Sequence, residues 1–147
     1  MWQLLSNYLK TLLVANTDIQ EVFDYEVNDF NGQPAAVIVA SDNESAFVTT
    51  AHNERVYAFS LFLFVARGES GFTDKKCDDV LRQLVDGAMD DLDKNWQVSG
   101  ISLPTGYEML FMEAAPSVWG YSNREMLYRM AEIKIRIHTY INTELIT

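Results

Sequence analysis

The sequence predicts an α+β fold: a largely antiparallel sheet of about five strands with two amphipathic helices on one face, in the order α-β-β-β-α-β-β. Three stretches carry this expectation. Residues 55–67 read RVYAFSLFLFVAR, eleven residues between two arginines that are all apolar except Ser60. Their β-branched and aromatic content, with no Gly or Pro, favours a strand, and the run is too short for a membrane helix, which needs about 18 apolar residues. Cys77, Val80, Leu81, Leu84, Val85, Ala88, Met89, Leu92 and Trp96 recur at the 3.6-residue period of one helical face. Ala131, Ile133, Ile135 and Ile137 alternate with Glu132, Lys134, Arg136 and His138, which is the period of a strand with one core face.

The remaining elements follow from the same two periods. Trp2, Leu5, Leu9, Leu12 and Leu13 form a helical stripe over residues 2–14, which Asn16, Thr17 and Asp18 close. A short strand over residues 22–26, a turn-rich stretch through Gly32 and Pro34, and the buried strand AAVIVA at residues 35–40 together read as a hairpin. Residues 41–53 read as a long polar loop with an apolar centre at Ala46, Phe47 and Val48. The long strand comes next, with Tyr57, Phe59, Leu61, Leu63 and Val65 on one face and Val56, Ala58, Ser60, Phe62, Phe64 and Ala66 on the other. Because both faces are apolar towards its end, that half calls for cover on two sides, and a second subunit is one source of it. Residues 68–74 turn the chain, with Thr73 or Asp74 as the expected cap of the second helix. A strand over residues 107–113 ends at Pro116, residues 117–123 form a turn holding Trp119 and Tyr121, and a last strand runs over residues 125–139.

Composition bounds the function classes. At 147 residues the chain fits a single domain, residues 1–147, that buries roughly two-thirds of its extended surface. A net charge of −10 argues against a general nucleic-acid binder, which neutralises phosphates with Lys and Arg. The charge is uneven, because four of the eleven basic residues, Arg124, Arg129, Lys134 and Arg136, fall close together. The lone cysteine, Cys77, cannot form an internal disulfide and suits a reducing cytoplasm, and the start of the chain lacks a secretory pattern.

No motif announces catalysis, so the chain is expected not to be an enzyme and to need no cofactor. Asp86, Asp90 and Asp93 share a helical face, but they lack the loop spacing of a calcium site and read first as a solvated acidic surface. His52 and His138 have no ligand-spaced partner, and Cys77 lies on an apolar stripe. The strand face with Lys134 and Arg136, with Arg129 upstream, reads as an ordinary wet face or as a dock for the acidic helix of another copy. Phe47, Val48, Trp119 and Tyr121 are candidate partner anchors, since aromatics are enriched at interface hot spots.

The order of elements resembles the tail terminator family of long-tailed bacteriophages. The likeness rests on the amphipathic first helix, the Pro-Ala-Ala-Val-Ile-Val strand at residues 34–39, and the long polar loop. It continues with the Arg-x-Tyr-x-Phe-x-Leu strand at residues 55–61, the Val-Leu-x-x-Leu-Val helix at residues 80–85 and the closing pair of strands. The resemblance implies a virion protein, assembled in the host cytoplasm, that forms a homo-oligomeric ring, a hexamer in that family. Such a ring caps the tail tube protein, ends tube polymerisation, and offers the surface that meets a head-completion or connector protein. DNA then passes through the channel without specific binding, and no membrane is involved. The C-terminal stretch follows the pattern loosely, so another neck or head-completion role stays open, as does a cytoplasmic α+β dimer with a small-molecule pocket.

Overall fold

The computed structural model describes residues 1–41, 44–49, 51–66, 74–123 and 127–146. Two helices, α1 (Trp2–Val14) and α2 (Asp74–Lys94), accompany six strands. These are β1 (Glu21–Phe23), β2 (Ala35–Ala40), β3 (Glu44–Phe47), β4 (His52–Ala66), β5 (Tyr107–Asn123) and β6 (Leu127–Asn142). The sheet runs β1-β2-β4-β6-β5, and β3 pairs with β4 beside the end of β2. All pairings are antiparallel except β1 with β2. The α+β class, the largely antiparallel sheet and the two helices all match the sequence pattern.

β4 is the axis of the sheet. It pairs along its length with β6, from His52 opposite Asn142 to Ala66 opposite Tyr128. Its alternation sets the main core: Tyr57, Phe59, Leu61, Leu63 and Val65 join Ala131, Ile133, Ile135 and Ile137 of β6 under the helices. Helix α1 adds Leu5, Leu9 and Leu13, and α2 adds Cys77, Leu81, Leu84, Val85, Ala88 and Leu92. Leucines and isoleucines at these positions are fully buried, and each such side chain stabilises the fold by about 1.5–3 kcal/mol. Trp2 locks the helix end onto the sheet through edge contacts with Tyr57 and Phe59, centroids 4.9 and 5.1 Å away.

Several expectations change. Residues 22–40 are not a hairpin: β1 lies parallel to β2, because the eleven residues between them loop across the sheet instead of turning tightly. That loop carries Phe30 onto Phe64 and Tyr128, at 5.0 and 5.3 Å, and with Val27 it covers part of the second apolar face of β4. Cover expected from another subunit thus comes partly from the chain itself. The polar stretch before β4 contains β3, paired with β4 from Glu44 opposite Val56 to Phe47 opposite Asn53.

Pro116 does not end β5, which continues to Asn123, so Trp119 and Tyr121 sit on a strand and not in a turn. The Met112 amide donates outward to the Trp96 carbonyl at 2.7 Å. Alternation therefore turns Pro116 outward as well, where a missing N–H costs no ladder bond. Finally, Trp96 falls beyond α2 and is 47% exposed, so it leaves the apolar stripe that its spacing suggested. β6 begins at Leu127 and reaches Asn142, and the proposed cap Thr73 lies outside the described residues, as do Arg124 and Glu125.

Ile135→Ala, at the centre of the main core, is expected to cost about 2–5 kcal/mol, and Phe30→Ala about 3–5 kcal/mol. Chemical denaturation measures both. A Phe30→Ala cost near zero would mean that the loop does not seal the second face.

Candidate functional site

Three surfaces of the described residues are candidates for contact with a partner. The first is the outer edge of β5. Near Met112 that edge is occupied by the segment after α2, through the bond to Trp96. Beyond Pro116 the strand bulges at Ser117 and Val118 (56% exposed) and then presents Trp119 (41%) and Tyr121 (58%). Arg129 organises this end. Its Nε donates to Asp78 Oδ1 at 2.9 Å, one terminal nitrogen donates to the Gly120 carbonyl at 2.8 Å, and the guanidinium lies 4.7 Å from the Tyr121 ring centroid. Arg129 therefore faces the helix side and ties β6 to α2. It does not belong with Lys134 and Arg136, as its place in the sequence suggested.

The second surface is the sheet face opposite the helices, which divides in two. Towards the end of β4 it is an apolar groove of about 410 Å³, lined by Val37, Val39, Phe62, Phe64 and Met130, with Glu26 at the rim. Towards the start of β4 it is charged and mixed in sign. Arg136 Nε stands 3.4 Å from Glu113 Oε1, and Lys134 is exposed beside Glu132. The His138 imidazole lies between two carboxylates, with Nδ1 3.5 Å from Glu54 Oε1 and Nε2 3.2 Å from Glu113 Oε1, and it stacks on Phe111 at 4.1 Å. Glu54, Glu113 and Glu132 make this face a charge mosaic and not the basic stripe that Lys134 and Arg136 imply when read alone.

The third surface is the outward face of α2. Asp86, Asp90 and Asp93 are exposed there, on the opposite side of the sheet from Lys134 and Arg136. Asp91 is held by the Asn16 amide at 3.1 Å, which ties the two helices together. Among the described residues no three His, Cys, Asp or Glu side chains converge as a metal-binding group. At the other end of α2, hydrogen bonds from Lys75 and then Arg82 hold the Asp79 carboxyl below its usual range. The resulting stabilisation is present above the ordinary carboxylate pKa and fades as the pH falls through the lowered one.

Val48 is exposed beside β3, where its amide donates to the His52 carbonyl at 3.0 Å; nothing is described of the Phe47 side chain. Of the residues singled out in the sequence, the fold gathers Trp119, Tyr121 and Arg129 at one site and Lys134 with Arg136 at another. The aspartates stand apart. Two features had no sequence signal of their own: the groove, which depends on where the loop of Phe30 stops, and the Glu54–His138–Glu113 contact, which spans three strands. The alternation of Phe62 and Phe64 pointed to the apolar face but not to its open half.

No known protein family matches the chain, and no curated protein matches it either. Among the described residues no helix is long and apolar enough to cross a membrane.

Asp93 lies in the last turn of α2, where its charge opposes the helix dipole. Asp93→Asn is expected to raise stability by about 0.3–1 kcal/mol at low salt, with the gain vanishing at high salt. Destabilisation in a thermal melt would instead mark Asp93 as a group that holds a partner or a cation.

Proposed function

We propose that this chain is the subunit of a ring that caps the tail tube of a long-tailed phage, ends tube polymerisation and joins the tail to the head. The observation that carries the reading is the placement of unlike surfaces on opposite sides of one sheet. The acidic face of α2 looks one way, and the groove and the Lys134–Arg136 patch look the other. Head-to-tail contact needs two different complementary surfaces, and it gives a ring when the rotation closes. The order of elements that resembles the tail terminators persists in the fold, with β3 added. A subunit of net charge −10 also suits a channel through which DNA slides, because like charge lowers affinity.

In this reading the segment of β3 and Val48 is the arm towards the tube or a neighbouring subunit, and the partners are the tail tube protein and a head-completion protein. The protein acts in the virion after assembly in the host cytoplasm. A related neck connector would share all these features. The groove favours one further reading, a small module that binds an apolar ligand; its cavity lies on the open face and not between sheet and helices.

Light scattering of the purified protein, alone and with stoichiometric tail tube protein, tests the proposal. A ring-sized mass, in either sample, is the expected outcome. A mass that stays at one or two copies in both samples would overturn it in favour of the ligand-binding module. Lys134→Glu with Arg136→Glu is expected to reduce the ring mass, and an unchanged mass would refute docking between the acidic helix and this strand face.

A further inference from the structure

Trp96 and the apolar groove carry an inference that rests on the ring reading and gives it an anchor. We infer that Trp96 of one subunit seats in the groove of a second copy, against Phe62 and Met130, with Lys94 beside the second copy's Glu26. The contact joins two unlike surfaces, so it can repeat from copy to copy around a ring.

The spacing of α2 assigns Trp96 to the buried stripe, yet the fold leaves it 47% exposed and holds it firmly in that place. The Trp96 carbonyl accepts the Met112 amide at 2.7 Å, and the Asn95 amide donates to the Leu92 carbonyl at 3.1 Å. The Asn95 side chain donates to the Asp91 carbonyl at 2.8 Å. Two residues beyond Trp96, Val98 is buried at φ +50°, a left-handed conformation that a β-branched residue adopts only under constraint. Strain of this kind gathers at sites that clamp a partner. A fixed turn thus displays a large aromatic side chain, and little backbone freedom is left to lose on binding. The Trp96 indole N–H has no hydrogen-bond partner among the described residues, and exposed Lys94 has no ion pair among them.

The groove supplies the complement. Its floor of Val37, Val39, Phe62 and Met130 is apolar, and about 410 Å³ is room enough for an indole ring. Glu26 at the rim is exposed and has no partner among the described residues. A carboxylate only accepts hydrogen bonds, whereas an indole N–H and a lysine only donate them, so Glu26 answers both donors that the turn brings. The two surfaces lie apart on the subunit. Trp96 follows α2 at the edge of β5, and the groove opens on the sheet face away from the helices, so the contact runs between copies. By alternation Lys134 shares the face of Met130 on β6, so the acidic end of α2, with Asp90 and Asp93, approaches a lysine when Trp96 is seated.

Sedimentation of the full chain, alone and with stoichiometric tail tube protein, tests the contact. Trp96→Ala is expected to weaken assembly at least about thirtyfold, as truncation of a central interface tryptophan does. Val14→Ala, an exposed control at the end of α1, is expected to leave it unchanged. Glu26 and Lys94 are exposed, so their exchange leaves the fold intact, which a thermal melt checks. Glu26→Lys and Lys94→Glu are each expected to weaken assembly about fivefold by setting like charges together, and the double exchange to recover most of that loss. Assembly unchanged by Trp96→Ala, or a double exchange no better than the single ones, would overturn the contact while a ring-sized mass kept the ring reading. A pair of copies that Trp96→Ala dissociates would keep the contact and overturn the ring. A single copy in both samples of the native sequence would overturn both.

Discussion

The structure depends on the pairing of β4 with β6. The two longest apolar alternations of the chain lie side by side, from His52 and Asn142 at one end to Ala66 and Tyr128 at the other. Each contributes a stripe to one face, and together they make a floor of Tyr57, Phe59, Leu61, Leu63, Ile133, Ile135 and Ile137 broad enough for two helices. Sequence separation makes this pairing costly to form, because the loop between the strands must close before any contact rewards it. Once it is formed, register is fixed at every position. A slip of one residue would send a row of isoleucines to the wet face and Lys134 and Arg136 into the core.

Everything peripheral is attached to that pair, and the attachments differ in kind. α2 is held by apolar burial, by the Asp78–Arg129 ion pair at the strand end, and by the Asn16–Asp91 hydrogen bond to the end of α1. α1 is held by its leucines and by Trp2 against β4. The parallel strand β1 is three residues long and serves mainly to anchor the loop that brings Phe30 over Phe64 and Tyr128. The same loop decides the extent of the open face. It covers the end of the sheet near Ala35, Ala66 and Tyr128 and leaves Phe62, Val39 and Met130 half-buried beside it.

The parts legible in the sequence are those where one periodicity dominates over many residues. Both helices, both faces of β4 and the core face of β6 follow directly from spacing, since burial on one side imposes 3.6 or 2.0 and nothing competes. The misread parts are those where a local signal had a second physical solution. Pro116 reads as a strand end only if its missing N–H is needed; on an edge strand, facing outward, it is not. The turn residues around Gly32 and Pro34 suggested a tight reversal, yet they serve a wide loop into a parallel neighbour. Lys134, Arg136 and Arg129 looked like one basic cluster because they are close in sequence. An odd spacing from 129 to 134 and 136 puts Arg129 on the other face, and the acidic partners Glu54 and Glu113 come from other strands.

The distribution of charge then separates the surfaces by the kind of contact they allow. α2 presents Asp86, Asp90 and Asp93 with only Arg82 and Lys94 beside them on that face, so it keeps an acidic excess, two such faces repel, and a dock for one must be unlike it. The charged half of the open sheet face is self-compensated through Glu54, His138, Glu113 and Arg136, and exposed Lys134 is its clearest positive feature. The second half of β5 combines exposed aromatics with the absence of charge. A chain this acidic meets a long-range penalty when copies approach, and that penalty is smallest where the local charge is zero.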